Sequence, residues 1–286
     1  MQEIVSLVRF CSILRQSILI LVFKTLESRY LQSVVVVTTF NQPRILEHVL
    51  CSLDKQTIHA AQIVVADDGS SPGCRDIVQR WSNKLPVTLV WQLDDNFRAS
   101  RIRNLAVLKA AGNHLIFIDG DCLVPETFIE SHQKLVQPGW VISGGRQLLD
   151  KRRSSEIMAR GLSNNRRWFR GLKFLRLPLG FIRNLQSRQW GLCRTCNVGL
   201  LKSDFLAVGG FDERFRGWGR EDSDLIVRLL HLGCKIRNGR LSSCVLHFWH
   251  EKQSRVRLSS NEEIFQDTLA DDSIVVANKS VLRSLW

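Results

Sequence analysis

The fold is decided by an apolar run that ends in two carboxylates, Leu115-Ile116-Phe117-Ile118-Asp119-Gly120-Asp121. A nearly continuous apolar run of this kind is typical of a strand buried on both faces. Similar runs occupy residues 33–39, 62–66 and 87–92, and amphipathic helical patterns separate them. This alternation of strands and helices predicts an α/β fold built on a mostly parallel sheet.

Acidic residues follow two of these strands, where parallel sheets bind their ligands. Asp119 and Asp121 are two residues apart on an extended segment, so their carboxylates point the same way. Gly120 between them leaves the backbone open to a bulky ligand. Divalent Mg²⁺ or Mn²⁺ often bridges one or two carboxylates to substrate phosphates. The second cluster, Asp67-Asp68-Gly69-Ser70, is consistent with a plain turn or with contacts to a base or ribose.

A third motif, over residues 211–224, combines glycine, tryptophan and acids. Trp218 stands between two glycines, and a ring exposed there would suit the C–H face of a sugar. Glu221 and Asp222 open an amphipathic helix, whose dipole favours carboxylates at that end. Helix capping alone would explain these acids, but it does not explain the Gly-Trp-Gly sequence.

Two histidines, His247 and His250, follow a late strand over residues 244–246. An isolated histidine is more often structural than a ligand. At a strand end near a metal site, however, imidazole can supply a further ligand.

The chain is strongly basic, with 40 lysines and arginines against 27 acids in 286 residues and a formal charge of +13. Such a balance suits nucleic acid, anionic lipid or phosphate-bearing substrates. Cations and aromatic residues crowd residues 150–190. This basic insert is either a solvated linker or an amphipathic segment on an anionic membrane surface.

The apolar stretch at residues 18–23 is bracketed by Arg15 and Lys24. It is shorter than the ~20 apolar residues of a membrane-spanning helix, so we expect an interfacial or a packing helix. The eight cysteines are irregularly spaced and no secretory signal precedes the first strand. Reduced thiols and a cytoplasmic setting are therefore expected.

Together, these motifs resemble the family-2 glycosyltransferases over roughly Ser33 to His250. Residues 209–224 are similar to the carboxy-terminal motif of galactosyl- and N-acetylgalactosaminyltransferases, including chondroitin-polymerase-type domains. The resemblance implies a GT-A fold: a Rossmann-like, mixed but mostly parallel sheet flanked by helices in a single catalytic domain. One departure is Arg220, where relatives often have a small residue.

The resulting domain scheme has three parts. Residues 1–32 would form an N-terminal helical extension, and residues 251–286 a C-terminal one. The GT-A domain would span residues 33–250, divided into a nucleotide-sugar half at 33–149, the basic insert at 150–190, and an acceptor and catalytic half at 191–250.

The resemblance also implies a role for each site residue. Asp222 would be the catalytic base, and Glu221 would assist it and contact the acceptor. Binding of the nucleotide-sugar donor would involve Thr38, Phe40, Asp67, Asp68, Arg103, Asp119 and Gly120. The acceptor would lie on Trp218 and Gly217. The metal ligands would be Asp121, His247 and, shared with the ribose, Asp119.

The activity so implied is transfer of a hexose or N-acetylhexosamine, of the galactose or glucose type, with inversion at the anomeric carbon. The donor would be a uridine diphosphate (UDP) sugar, and the acceptor a glycan or lipid-linked saccharide. The cofactor would be Mn²⁺ or Mg²⁺. We expect a role in surface polysaccharide synthesis, with the protein peripheral at the cytoplasmic face of the inner membrane.

Two other functions fit parts of the sequence. A nucleotidyltransferase that makes sugar nucleotides would carry a glycine-rich basic loop after the first strand, where this chain has Thr39-Phe40-Asn41-Gln42-Pro43. A nucleic-acid-binding protein would use the basic stretch and its aromatic residues. The acidic strand ends would repel a polyanion, so nucleic acid is an unfavoured partner.

Overall fold

The computed structural model describes residues 31–160, 186–187, 189–240, 242–251 and 254–285. The predicted N-terminal helical extension therefore lies outside the described residues, apart from its last two positions. The same holds for residues 161–185 of the basic insert. Residues 33–286 form one compact unit.

Eleven strands are present in the described residues. They are β1 (Ser33–Thr39), β2 (Gln62–Asp67), β3 (Val87–Trp91), β4 (His114–Asp119), β5 (Cys122–Leu123), β6 (Trp140–Ser143), β7 (Gly145–Leu148), β8 (Gln186–Ser187), β9 (Val198–Leu201), β10 (Lys235–Asn238) and β11 (Cys244–His247). The four strands predicted from the first half of the sequence are all confirmed.

The larger sheet has the strand order β3-β2-β1-β4-β9-β6-β10-β8 among the described residues. Strands β3, β2, β1 and β4 are parallel. Strand β9 runs antiparallel to both of its neighbours, β4 and β6. Strand β10 is parallel to β6 and antiparallel to β8. The predicted mixed, mostly parallel sheet is confirmed.

A smaller sheet of three strands, β5-β11-β7, adjoins the end of β4. Strand β11 is antiparallel to β5 and parallel to β7. Because only Gly120 and Asp121 separate β4 from β5, this sheet extends the acidic end of β4 toward the two histidines.

Eight α-helices accompany the sheets in the described part of the chain. They are α1 (Pro43–Asp54), α2 (Pro72–Trp81), α3 (Ala99–Lys109), α4 (Phe128–Leu135), α5 (Lys151–Arg160), α6 (Lys202–Ala207), α7 (Glu221–His231) and α8 (Leu258–Ala270). None of them is both long and apolar enough to cross a membrane. The apolar stretch at 18–23 is not among the described residues.

Alternate residues of β1 explain why helices cover both faces of the sheet. Val35 and Val37 belong to one apolar cluster, which includes Leu50 of α1. Val34 and Val36 belong to another, with residues of α3 and α7. Since successive side chains of a strand point to opposite faces, a run of valines requires an apolar layer on each side. The layers position α3 and α7 over the end of β4.

The segment after residue 250 is helical over α8 and over a short 3₁₀ turn, Val281–Leu285. Phe265 and Leu282 are fully buried within the compact unit. Asn104 of α3 reaches this segment through Ser280 Oγ, 3.1 Å away. These residues thus pack as part of the domain body.

Candidate active site

Strand pairing places the two histidines beside Asp121. His247 is paired with Cys122, the residue after Asp121, and the backbone N–H of Phe248 donates to the carbonyl of Asp121 at 2.9 Å. The Nε2 atoms of His247 and His250 lie 3.4 Å and 3.5 Å from the two carboxylate oxygens of Asp121. The three side chains offer ligand atoms that all lie within 4.8 Å of one another.

The hydrogen bonds of the histidines show that this group suits a cation. The Nδ1 atom of His247 lies 2.8 Å from the carbonyl oxygen of Phe248, and that of His250 lies 2.6 Å from the carbonyl of Glu251. A carbonyl can only accept a hydrogen bond, so both Nδ1 atoms carry the proton. Nε2 of each ring faces Asp121 and is the nitrogen left to bind a metal ion. Carboxylate and imidazole lone pairs converging on one point fit a divalent cation.

Asp119, the third predicted metal ligand, lies outside this group and pairs with Arg103. The buried guanidinium of Arg103 donates to Asp119 Oδ1 at 3.2 Å, to Glu221 Oε1 at 3.2 Å and to Thr38 Oγ1 at 3.0 Å. It also lies 5.4 Å from the ring centre of Phe211. Arg103 therefore joins the ends of β1 and β4 to the start of α7.

Gly120 is required for a reason that the sequence did not show. A Cβ atom added there would lie 2.9 Å from the carbonyl oxygen of Thr38 and 2.9 Å from the Cβ of Thr39. The amide of Gly120 donates to the same Thr38 carbonyl at 2.6 Å. The glycine thus allows the turn after β4 to approach β1, whereas the sequence suggested space for a ligand.

The carboxylates of Asp67 and Asp68 are buried and hold the neighbouring loops. Asp67 Oδ1 accepts from the amide of Ser70 at 2.8 Å. Asp68 accepts from the amide of Arg98 at 2.8 Å and from the side chain of Gln92. Burial raises the pKa of Asp68, and these hydrogen bonds oppose that shift. Both carboxylates thus fix the loops that follow β2 and precede α3.

Phe40 lies at the end of β1 and exposes 40% of its surface. The next residue, Asn41, has a positive φ of 50°. Its amide donates to Ser70 Oγ at 2.8 Å, and its side-chain oxygen accepts from the amide of Ser71 at 2.9 Å. The loop is fixed by these bonds while the phenyl ring stays accessible for stacking.

The Gly-Trp-Gly loop has the backbone that its glycines predict. Gly217 and Gly219 have φ values of 72° and 110°, and Arg220 follows with a φ of 75°. These values lie in the left-handed region that favours glycine. A Cβ at Gly217 would also lie 2.9 Å from the Cβ of Arg257. This turn, in which three residues have positive φ, leads directly into the first turn of α7.

Asn261 of α8 fixes this loop from below. Its buried amide donates to the carbonyls of Arg216 and Gly219 at 3.0 Å and 2.9 Å. Trp218, held between them, exposes 36% of its surface. The guanidinium of Arg255 lies 5.1 Å from the centre of the Trp218 ring. An open indole face on a rigid loop is suited to binding a sugar ring.

Arg220, the departure from the family pattern, turns toward the C-terminal helix. Its Nε donates to Glu262 Oε2 at 2.6 Å. Its guanidinium lies 5.0 Å from the ring of Phe265 and 5.7 Å from that of Trp190. The side chain thus braces α8 against the start of α7.

The two acids at the start of α7 have different surroundings. Glu221 accepts a hydrogen bond from Arg103. Burial and the nearby charge of Asp222 raise the pKa of Glu221 to about 7. Asp222 Oδ1 accepts from the amide of Ser223 at 2.8 Å. Its Oδ2 has no partner in the described part of the chain. Asp222 therefore has an oxygen available for a ligand.

Comparison with known proteins agrees with this geometry. The model of Glycosyl transferase family 2 matches residues 34–190, and that of the N-terminal domain of galactosyltransferase matches residues 184–251. Since the first match covers more than half of the chain, this protein belongs to glycosyl transferase family 2.

Two curated relatives are similar to most of the chain. Validoxylamine A glucosyltransferase of Streptomyces hygroscopicus is 29% identical over 248 residues, covering 79% of this chain and 57% of that protein. The chondroitin synthase of Escherichia coli is 25% identical over 236 residues, covering 71% of this chain and 33% of that protein. The chain thus spans about half or less of the length of these relatives.

Solved structures share the fold at low identity. TarS 1-349 of S. aureus in complex with UDP has a TM-score of 0.62 at 15% identity, covering 84% of this chain and 66% of that one. The mannosyltransferase PcManGT of Pyrobaculum calidifontis, in complex with GDP-Man and Mn²⁺, has a TM-score of 0.59 at 16% identity, covering 86% and 68%. The predicted GT-A fold class is confirmed.

Both histidines were candidate ligands in the sequence and only His247 was assigned to the metal, whereas in the structure His250 lies as close to Asp121 as His247 does. Two supporting residues were not indicated by the sequence at all. Asn261 and Arg255 support the Trp218 loop from a segment more than 30 residues later in the sequence, and no local pattern indicates them.

The raised pKa of Glu221 predicts a pH-dependent stability. An ordinary glutamate of the unfolded chain ionises near pH 4.5, whereas folded Glu221 keeps its proton until about pH 7. The folded state binds more protons in this window, so its stability falls as pH rises through it. Glu221→Gln, which cannot ionise, should therefore gain about 1–3 kcal/mol relative to the unsubstituted protein between pH 5 and pH 8.

Urea unfolding at the two pH values measures this difference. Glu263→Gln, at an exposed position of α8, is the matched control and should change little with pH. A difference for Glu221→Gln that is the same at pH 5 and pH 8 would contradict the raised pKa.

Proposed function

We propose that the chain transfers a sugar from a UDP-sugar to a glycan acceptor with inversion at the anomeric carbon. The observation that carries the proposal is the arrangement around Arg103. This residue contacts Asp119 beside the Asp121–His247–His250 group and contacts Glu221 beside the free oxygen of Asp222. Arg103 would thus link two parts of the site, the cation site that binds the diphosphate and the base that activates the acceptor hydroxyl.

The donor proposal rests on the loops at the ends of β1 and β2. Phe40 offers an accessible ring for a base, and TarS, which has the same fold, was solved with UDP. Thr38 and Asp119 would contribute to donor binding partly by orienting Arg103, which donates hydrogen bonds to both. Asp67, Asp68 and Gly120 would shape the pocket for the nucleotide.

The base is assigned to Asp222 because its Oδ2 is available. In a direct displacement, this oxygen would accept the proton of the acceptor hydroxyl as the hydroxyl oxygen attacks the anomeric carbon from the face opposite the leaving group. Glu221 is held by Arg103 and would position the acceptor. Trp218 and Gly217 would form the platform on which the acceptor sugar lies.

The cation group would hold Mn²⁺ or Mg²⁺ through Asp121, His247 and His250, with Asp119 adjacent. When bound, such a cation neutralises the charge that grows on a departing nucleoside diphosphate. The two carbonyls that orient the histidines keep Nε2 available for it.

The sugar is proposed to be a hexose or N-acetylhexosamine of the galactose or glucose series. Support comes from the match to the galactosyltransferase domain over residues 184–251 and from the names of the glucosyltransferase and chondroitin synthase relatives. A glycan or lipid-linked saccharide in surface polysaccharide synthesis is the corresponding acceptor.

Metal-dependent binding of UDP tests the donor site. Calorimetric titration with UDP should show binding with Mn²⁺, and a chelator should abolish it. Asp121→Ala should lose at least about tenfold in affinity because it removes a charged ligand of the cation. Asp76→Ala, at an exposed position of α2, is the control. Absence of UDP binding with or without metal would overturn the proposal and return attention to nucleic acid.

Replacement of the proposed base separates binding from transfer. Asp222→Asn should bind UDP with unchanged affinity but lose at least about a hundredfold in the rate of transfer, since an amide cannot accept the proton. Asp76→Asn is the control for the loss of one surface charge. Release of UDP from a panel of UDP-sugars and saccharides measures the rate. Retained transfer by Asp222→Asn would move the base to Glu221 or elsewhere.

We further propose that the basic insert holds the protein peripherally at the cytoplasmic face of a membrane. Its described helix, α5, exposes Lys151, Arg152, Arg153 and Arg160. Trp249 is exposed beside it, with the Lys151 ammonium 5.1 Å from its ring, and Leu148 is exposed as well. Cations flanking an exposed indole are typical of surfaces that bind anionic lipid.

Liposome flotation tests this membrane contact. The triple variant Arg152→Gln, Arg153→Gln, Arg160→Gln should bind vesicles of phosphatidylglycerol and phosphatidylethanolamine at least about tenfold more weakly, since each cation near an anionic surface contributes about 1 kcal/mol. The control is neutralisation of three exposed cations elsewhere, Arg80, Lys84 and Lys109. Equal binding by the two triple variants would show that the insert is not the lipid-binding surface.

A further inference from the structure

A small basic cavity lies beside the Trp218 loop, residues 216–219, and no residue of its lining was given a role in the function proposed above. It has a volume of about 130 Å³, and its lining residues are Arg98, Arg101, Glu213, Phe215, Arg216 and Lys279. Arg98 and Arg101 come from the start of α3, Phe215 and Arg216 from the loop before Gly217, and Lys279 from the C-terminal segment. Four cations from three parts of the chain thus converge on one small space.

The acids at this cavity do not neutralise it. Glu213 accepts from Arg101 at 3.2 Å, and also from Asn104 and the amide of Val281. Asp95, at its edge, lies 3.3 Å from Arg98 and 3.7 Å from Arg216.

Two acids therefore face four cations. Lys279, which is exposed, has no acidic partner in the described residues, whereas the guanidinium of Arg98 also donates to the carbonyl of Leu93. Keeping like charges together is unfavourable unless an anion joins them.

The cavity shares its wall with the acceptor platform. Arg216 lines it, and the amide of the next residue, Gly217, donates to the carbonyl of Phe97 at 2.9 Å. Asn261 holds both Arg216 and Gly219 by their carbonyls, with Trp218 between them. The backbone of Arg216 is thus held next to that of Trp218, and the Arg216 side chain, 51% exposed, extends toward the cavity.

We infer that this cavity binds an anionic group of the acceptor saccharide, a carboxylate or phosphate on a sugar residue that extends past Trp218. The acceptor would then be an acidic glycan. Oxyanions bind strongly to several convergent guanidinium and ammonium groups. This inference rests on the proposed function, because it names the acceptor class for the same site.

The experiment compares acidic and neutral saccharides in the presence of UDP and Mn²⁺. The probes are a disaccharide ending in glucuronate, its carboxyl-reduced counterpart, a disaccharide 6-phosphate and its dephosphorylated counterpart. Binding is followed by saturation-transfer NMR. We expect at least one acidic probe to bind about tenfold or more tightly than its neutral counterpart. The double variant Arg216→Gln, Lys279→Gln should abolish that difference and leave UDP binding unchanged. The control is Arg80→Gln, Lys109→Gln.

The outcomes separate this inference from the proposed function. If UDP and Mn²⁺ bind but neither acidic probe exceeds its neutral counterpart, the acceptor inference is wrong while the donor site stands. Equal preference for the acid in the double variant would also overturn it. Competition by inorganic phosphate alone, with no preference among the saccharides, would identify a site for a free anion. Failure of UDP to bind any form of the protein would instead overturn the proposed function.

Discussion

The site depends on one buried guanidinium. Within the described residues, Arg103 donates hydrogen bonds to Thr38, Asp119 and Glu221. These three acceptors lie on β1, β4 and α7. The Arg103 guanidinium donates to the carboxyl groups of both Asp119 and Glu221 and so fixes their separation. Loss of such a charge commonly costs about 3–5 kcal/mol, because its partners remain buried without it. The proposed donor and acceptor halves of the site would be joined at this side chain.

Backbone pairing supplies the second constraint. The antiparallel pairing of β11 with β5 places His247 opposite Cys122, the residue after Asp121. A short ladder of backbone hydrogen bonds thus positions the Asp121–His247–His250 group. Gly120 contributes from the other side, since its missing Cβ lets the turn approach β1. Together, these features place the carboxylate of Asp121 with little dependence on flexible side chains. Such positioning by rigid elements favours a site that needs little rearrangement on binding.

Much of this arrangement could be predicted from the sequence because its signals are local. The valine run of β1 and the apolar run of β4 are contiguous, and Asp119, Asp121, Glu221 and Asp222 directly follow or open regular elements. The features that escaped prediction depend on distant segments meeting in space. The Asn261 amide donates hydrogen bonds to a loop more than 40 residues earlier in the sequence. The basic cavity is lined by residues from the start of α3, from the loop before Gly217 and by Lys279. No periodicity or motif records such contacts. The reason for Gly120 could not be predicted either, because the β1 residues that crowd it, Thr38 and Thr39, lie more than 80 positions earlier in the sequence.

The position of Asn261 has a consequence for how the catalytic unit should be delimited. The two family matches end at residue 190 and residue 251, yet the amide that shapes the Trp218 loop lies in α8, ten residues beyond the second match. A fragment trimmed to the matched residues would retain the proposed cation ligands and both acids of α7, but not the Asn261 amide that holds the Trp218 loop. A truncation meant to isolate the matched residues would therefore release the Trp218 loop, and its boundary belongs after α8.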